Sequence, residues 1–159
     1  LDLNSYSPSE KLVSQTERLE REGIRFQIYD KRTMKGFKEL LDDLNSEVWT
    51  RELSEEISEN GLNRPIIVPV FQDTVYGFAG PVSVEESGRG FLSGLGVHSA
   101  MRGKGVATVL FNNLCSALKA EGASYMTLFT GESNPARNIY EASGFKVVRT
   151  WADMRKERK

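Results

Sequence analysis

At 159 residues the chain fits one domain with room for a real core, and a formal net charge of -1 argues against a general nucleic-acid binder. One cysteine, Cys115, excludes an internal disulfide and a Cys-rich metal site, and one histidine, His98, weakens the case for a zinc site or a Ser-His hydrolase. No apolar stretch approaches the roughly 18 residues of a membrane span, and with no secretory leader the expected setting is cytoplasmic, with neither nucleic acid nor membrane as partner.

Residues 1–23 are polar, and Ser7-Pro8-Ser9-Glu10 reads as a helix start with Ser7 as N-cap and Glu10 closing a capping box. Leu12, Val13 and Leu19 give this helix only a thin apolar stripe, so residues 1–23 are expected to be a linker or docking helix ahead of a domain at 24–159. The chain begins at Leu1 and not at methionine, as the C-terminal half of a two-domain protein would. Ile24, Phe26 and Ile28 alternate with Arg25, Gln27 and Tyr29 and predict a first strand. Phe37, Leu40, Leu41, Leu44 and Val48 recur at helical spacing, and a break at Asn45-Ser46 predicts two short helices, the second reaching Asn60-Gly61.

Two β-rich runs, 65–72 and 74–85, flank a tight Gln72-Asp73-Thr74 connection, and a third follows at 90–98. Gly80-Pro81, Gly94 and Gly96 interrupt them, which points to bulges or to an open edge that another backbone or a ligand approaches. From 103 the period changes to 3.6, with Ala107, Leu110, Phe111, Leu114 and Leu118 on one face up to Gly122. A buried strand at 124–131, a helix from Pro135 to Gly144 and a strand-like run at 145–154 complete the order β-αα-βββ-α-β-α-β.

Met101-Arg102-Gly103-Lys104-Gly105-Val106-Ala107 opens the long helix. A helix N-terminus leaves N–H groups without partners and carries partial positive charge, and glycines let the backbone approach an anion. The P-loop pattern fails here, because it needs glycine at His98 and Ser or Thr at Gly105, and the dinucleotide pattern fails at Thr108 or, started from Gly94, at Ser99. The helix also follows an antiparallel meander, which disfavours a nucleotide triphosphatase or a dehydrogenase.

Taken with the strand Leu95-Gly96-Val97 before it, this stretch resembles the acyl-CoA-binding segment of the GCN5-related N-acetyltransferase (GNAT) family, a strand followed by Arg/Gln-x-x-Gly-x-Gly/Ala at a helix start. Residues 134–145, with Asn134, Ala136, Tyr140 and Gly144-Phe145, are similar to the family's second signature, and the resemblance covers about residues 24–154. It implies an α/β fold with a mixed central sheet and helices on both faces, and metal-free transfer of an acetyl group from acetyl-CoA to an amine, expected to be a small molecule. By the same resemblance the N–H groups of Arg102, Gly103, Lys104, Gly105, Val106 and Ala107 hold the pyrophosphate, and the Leu95-Gly96-Val97 edge pairs with the pantetheine arm. Asn134 would hydrogen-bond the cofactor, and Tyr140 would act as general acid on the leaving thiolate.

Departures from the family pattern leave alternatives open. Asn134 lies six residues before Tyr140 where the family commonly has seven, with Ser133 in that place, and it can instead cap the helix that begins at Pro135. The family commonly ends in two strands, but few residues follow Phe145, so the missing wall would come from a second copy or a preceding domain. Residues 90–97 hold no carboxylate to serve as base, Glu85 and Glu86 sit in the turn before them, and His98 adjoins the pyrophosphate loop. The acceptor would lie near Glu47, Trp49, Glu52, Asp73 and Tyr76, residues that read equally well as an amphipathic helix with a solvated acidic face. The alternative function is a coenzyme A-binding sensor or scaffold of the same fold.

Overall fold

The computed structural model describes residues 1–58, 61–152 and 154. The chain opens with helix α1 (Glu10–Arg21) and strand β1 (Arg25–Ile28), then α2 (Phe37–Leu44) and α3 (Glu47–Glu56). A small hairpin follows, β2 (Ile57–Ser58) with β3 (Gly61–Leu62), then β4 (Ile67–Phe71), β5 (Thr74–Val75), β6 (Gly77–Ala79), β7 (Ser83–Val84), β8 (Arg89–Phe91) and β9 (Leu95–Val97). A 3-10 turn (Ser99–Met101) leads to α4 (Val106–Ala120), β10 (Tyr125–Thr127) and α5 (Arg137–Ala142).

Local chemistry sets most boundaries. Ser9, and not Ser7, caps α1 through the Leu12 N–H, so that helix starts later than the Ser7-Pro8 reading. Asn45 turns left-handed (φ 48°) and ends α2, and the Ser46 hydroxyl then accepts the Trp49 N–H to start α3, which gives the expected two helices. The helix expected to reach Asn60 stops at Glu56, and residues 59–60 lie outside the described residues.

The main sheet runs β1-β4-β6-β9, antiparallel throughout, with β5 added to β4. Strand β4 is buried on both faces. Ile67 packs into the cluster around α4, while Val68 and Val70 pack into the cluster around α2 and α3. Helices thus cover both faces and form three layers. Among the described residues no helix is long and apolar enough to cross a membrane.

A second sheet, β10-β8-β7, continues from the first through Leu92–Gly94. β10 lies parallel to β8, with Thr127 opposite Phe91, and is not paired with β9, so among the described residues β9 forms an outer edge of the main sheet. The glycines at this split are required by what lies behind them: a Cβ on Gly94 would sit 2.8 Å from the Phe78 ring, and one on Gly96 2.8 Å from Leu44.

The other edge of β10 is taken by the N-terminus. Leu1 N and Leu1 O bond Met126 O and N at 3.0 and 2.9 Å, and Leu3 N donates to Ser124 O at 2.9 Å. Leu3 and Leu19 are fully buried in the cluster around α4 and Leu12 packs against it, so the segment read as a linker or docking helix places these residues on this domain's own core, while Val13 stays exposed. The strand expected at 145–154 does not form among the described residues, and residue 153 lies outside them. Its apolar residues find no sheet to join: Val148 is 85% and Trp151 70% exposed.

Candidate active site

The outer edge of β9 carries backbone groups without a strand partner. His98 N bonds Tyr76 O and Gly80 N bonds Gly94 O, so in this antiparallel ladder Gly96 is turned toward Phe78 of β6. Leu95 and Val97 alternate with it and present their N–H and C=O groups to the open side. The expected pantetheine edge therefore consists of Leu95 and Val97, and Gly96 cannot contribute backbone bonds to it. Val97 O already accepts Arg102 Nε at 3.0 Å.

The edge leads into the turn before α4. Gly103 and Gly105 hold φ of 76° and 85°, a left-handed conformation that costs glycine nothing. The N–H groups of residues 103–108 have no acceptor among the described residues, so the start of α4 is a set of converging donors. A Cβ on Gly103 would stand in open space over the turn. Arg102 differs from its expected part: its N–H donates to Ser99 O at 3.3 Å, and its guanidinium folds back toward Val97 and Asp43. Val106 is buried, so it offers its N–H alone. These residues fit a diphosphate, with free N–H donors and no side chain above Gly103.

Contacts that no sequence pattern announced hold the turn from behind. Arg18 of α1 donates to Lys104 O at 2.7 Å, and Gln15 donates to Gly105 O at 3.4 Å. Asp43 of α2 accepts the Ser99 hydroxyl at 2.6 Å and the Ser99 N–H at 2.8 Å, and chiefly that hydroxyl keeps its carboxyl below the usual carboxylate range. His98 accepts the Ala100 N–H on Nδ1, and its Nε2 lies 3.7 Å from Asp43. Apart from the local bond between His98 and Ala100, these contacts join residues far apart in the sequence, where spacing carries no signal.

Tyr140 of α5 packs its ring on Phe111 and Phe145, with centroids 5.0 and 6.2 Å apart. Its hydroxyl makes no hydrogen bond with a described residue, and the residue is one of those that line a cavity of about 520 Å³ together with residues 128–132 and 145–151. Burial pushes the phenol above its ordinary value, so at neutral pH it holds its proton. Asn134 accepts the Ala136 N–H on Oδ1 at 3.0 Å and so caps the approach to α5, leaving its amide NH₂ as the group able to reach a ligand. Of the acceptor candidates, Trp49 packs edge-on against Phe78 at 5.3 Å, Tyr76 packs against His98, and Glu47 and Asp73 are exposed.

The profile of the acetyltransferase (GNAT) family matches residues 34–145. No curated protein matches the sequence. Among solved structures, the chain is similar to AAC(6')-Iy in complex with the bisubstrate analog CoA-S-monomethyl-acetylneamine, at 20% identity and TM-score 0.64 over 85% of this chain and 99% of that one. It is also similar to a transcriptional regulator from Bacillus halodurans C-125, at 19% identity and TM-score 0.60 over 84% and 99% of the two chains. A third is the aminoglycoside 6'-N-acetyltransferase AAC(6')-IG from Acinetobacter haemolyticus, at 16% identity and TM-score 0.58 over 85% and 99%. With an open-edged strand running into a ring of free N–H donors and the family profile spanning both, the chain belongs to the acetyltransferase (GNAT) family and is an N-acetyltransferase whose acetyl donor is acetyl-CoA.

Proposed function

We propose that the enzyme acetylates a small molecule bearing several ammonium groups, an amino sugar of the aminoglycoside kind, with Tyr140 as general acid. The observation that carries the catalytic part is Tyr140, whose hydroxyl has no hydrogen-bond partner among the described residues and whose side chain borders a cavity just beyond the end of β10. Acetyl-CoA supplies the acetyl group as a thioester. Leu95 and Val97 hold the pantetheine amides in β fashion, and the N–H groups of residues 103–108 hold the diphosphate. The neutral amine forms the C–N bond as the C–S bond breaks, Tyr140 gives its proton to the sulfur, and the proton lost by the acylated nitrogen returns through solvent to the phenolate; the first transfer is uphill from a phenol to a thiolate unless the two atoms are held together.

The acceptor class rests on charge. On α2 and α3, Glu39, Asp42, Glu47, Glu52 and Glu55 stand against Lys38 and Arg51, while Asp43 is engaged by Ser99 and Glu56 by Arg64, so the two helices present a negative field to an approaching cation. Two of the similar structures are named as acetyltransferases of aminoglycosides or bind an acetylneamine analogue, which agrees in chemistry with that field.

Acetyl-CoA at 100 times its Kd is expected to stabilise the fold by about 2.7 kcal/mol, a rise of several degrees in Tm. Release of free thiol is then followed with a panel of amino sugars, polyamines and monoamines. Turnover restricted to monoamines would overturn the acceptor class. Binding of acetyl-CoA with no turnover of any amine would favour a sensor or scaffold.

A further inference from the structure

The donors of the cradle are backbone groups, and both cationic side chains of the turn are directed to other partners. Arg102 folds back on Val97 O and Asp43, and Lys104 Nζ stands 3.9 Å from Met101 Sδ. Affinity for a diphosphate therefore depends on what aims the N–H groups. The glycines leave that aim loose. The peptide plane between Lys104 and Gly105 turns on the φ of Gly105, here 85°, and glycine takes either sign of φ at little cost.

Helix α1 removes this freedom. Arg18 Nη2 donates to Lys104 O at 2.7 Å, and Gln15 Nε2 makes a longer bond, 3.4 Å, to Gly105 O. Arg18 is itself held, because its Nη1 donates to Glu22 Oε1 at 2.8 Å one turn further along α1. In a planar trans peptide the C=O and N–H point in opposite directions. A Lys104 carbonyl fixed on Arg18 thus turns the Gly105 N–H away from α1, where no described residue accepts it, and a Gly105 carbonyl held by Gln15 does the same for Val106. A donor on each carbonyl also polarises the peptide and makes its N–H a stronger donor. Resting on the acetyl-CoA reading of the cradle, we infer that Arg18 is a positioning residue for the diphosphate, presetting the Lys104–Gly105 peptide before the cofactor arrives. Residues 10–21 lie outside the match to the family profile, which therefore assigns them no part in the site.

Calorimetric titration of the full chain with coenzyme A tests the inference. Pantetheine, which lacks the diphosphate, is the control ligand, followed through the amide signals of Leu95 and Val97. Arg18→Met keeps an apolar stem on α1 and removes the donor. It is expected to bind coenzyme A about tenfold more weakly, the order of one charged hydrogen bond, and to bind pantetheine as the unaltered chain does. Glu22→Gln breaks the same ion pair within α1 but leaves the guanidinium to reach Lys104 O, so its loss is expected to stay within about twofold, as for an exposed i,i+4 pair. The loss in Arg18→Met is expected to persist at about 1 M salt, where a through-space charge is screened beyond about 3 Å. Unchanged affinity of Arg18→Met for coenzyme A, an equal loss in Glu22→Gln, a matching loss for pantetheine, or a loss that vanishes in high salt would each overturn the positioning role and leave the cradle reading standing. Failure of the unaltered chain to bind coenzyme A would overturn that reading, and this inference with it.

Discussion

Tyr140 is divided between two tasks that use different atoms. Its ring packs in an aromatic cluster with Phe111 and Phe145, while its hydroxyl has no hydrogen-bond partner among the described residues. Tyr140→Phe therefore keeps the packing, and stability is expected to change by less than about 0.5 kcal/mol, whereas kcat falls by about 10²–10⁴, the usual contribution of general acid catalysis. Unchanged turnover with acetyl-CoA saturating would remove Tyr140 from the mechanism. Tyr6 is the contrary case, because its hydroxyl donates to the buried Asn112 Oδ1 at 2.6 Å. Tyr6→Phe strands that acceptor and is expected to cost about 1–3 kcal/mol, read as a shift in the urea midpoint. Beside it, burial pushes the Cys115 thiol from 9.0 up to about 12, and Tyr6 and Tyr140 are raised as well. A raised folded value favours the neutral form, so the stability these groups add is complete below their ordinary values and is lost as pH rises. Melting temperature is expected to hold from neutral pH to about 9 and then decline, more gently in Cys115→Ala; a profile flat to pH 11 would contradict the burial of these groups.

At the scale of elements, the turn before α4 separates conformation from space. Gly103 and Gly105 share a left-handed backbone, which costs an alanine about 1–2 kcal/mol. A Cβ on Gly103 meets nothing, while one on Gly105 collides with the Gln15 amide that supports the turn. Gly103→Ala is expected to fold and to lose affinity for coenzyme A, since the new methyl stands where the phosphates approach. Gly105→Ala is expected to lower the melting temperature further, and if it melted no lower than Gly103→Ala, the packing of α1 on the turn would be wrong. These glycines were legible in the sequence because they punctuate a change of period, and so was the break at Asn45-Ser46, where turn and cap residues coincide. The 145–154 strand was misread for the opposite reason. Phe145, Val147, Val148 and Trp151 make the run rich in strand-forming residues, but composition describes a ribbon and not its partner. The neighbouring edge of β10 is already bonded to Leu1 and Leu3.

Across the whole molecule, the N-terminal arm ties together what the profile match leaves apart. It pairs with β10, buries Leu3 and Leu19 in the core, and reaches the cradle through Gln15 and Arg18, whose donors meet carbonyls of Gly105 and Lys104. None of this was visible along the chain, because residues 1–23 are polar on average and their few apolar residues are too sparse to mark a core helix. The burial of single residues decides the matter physically. A linker tolerates loss of a methyl cluster, but a core residue with no exposure does not. Leu3 is 0% exposed, so Leu3→Ala is expected to cost about 2–5 kcal/mol, about 2–4 °C of Tm for each kcal/mol in a chain of this size. The exposed Val13 serves as the control, since Val13→Ala on the same arm removes side-chain carbons that are 46% exposed. Thermal melts of the two variants should differ by several degrees with Leu3→Ala the lower, and equal melts at the value of the unaltered chain would return residues 1–23 to the role of a linker.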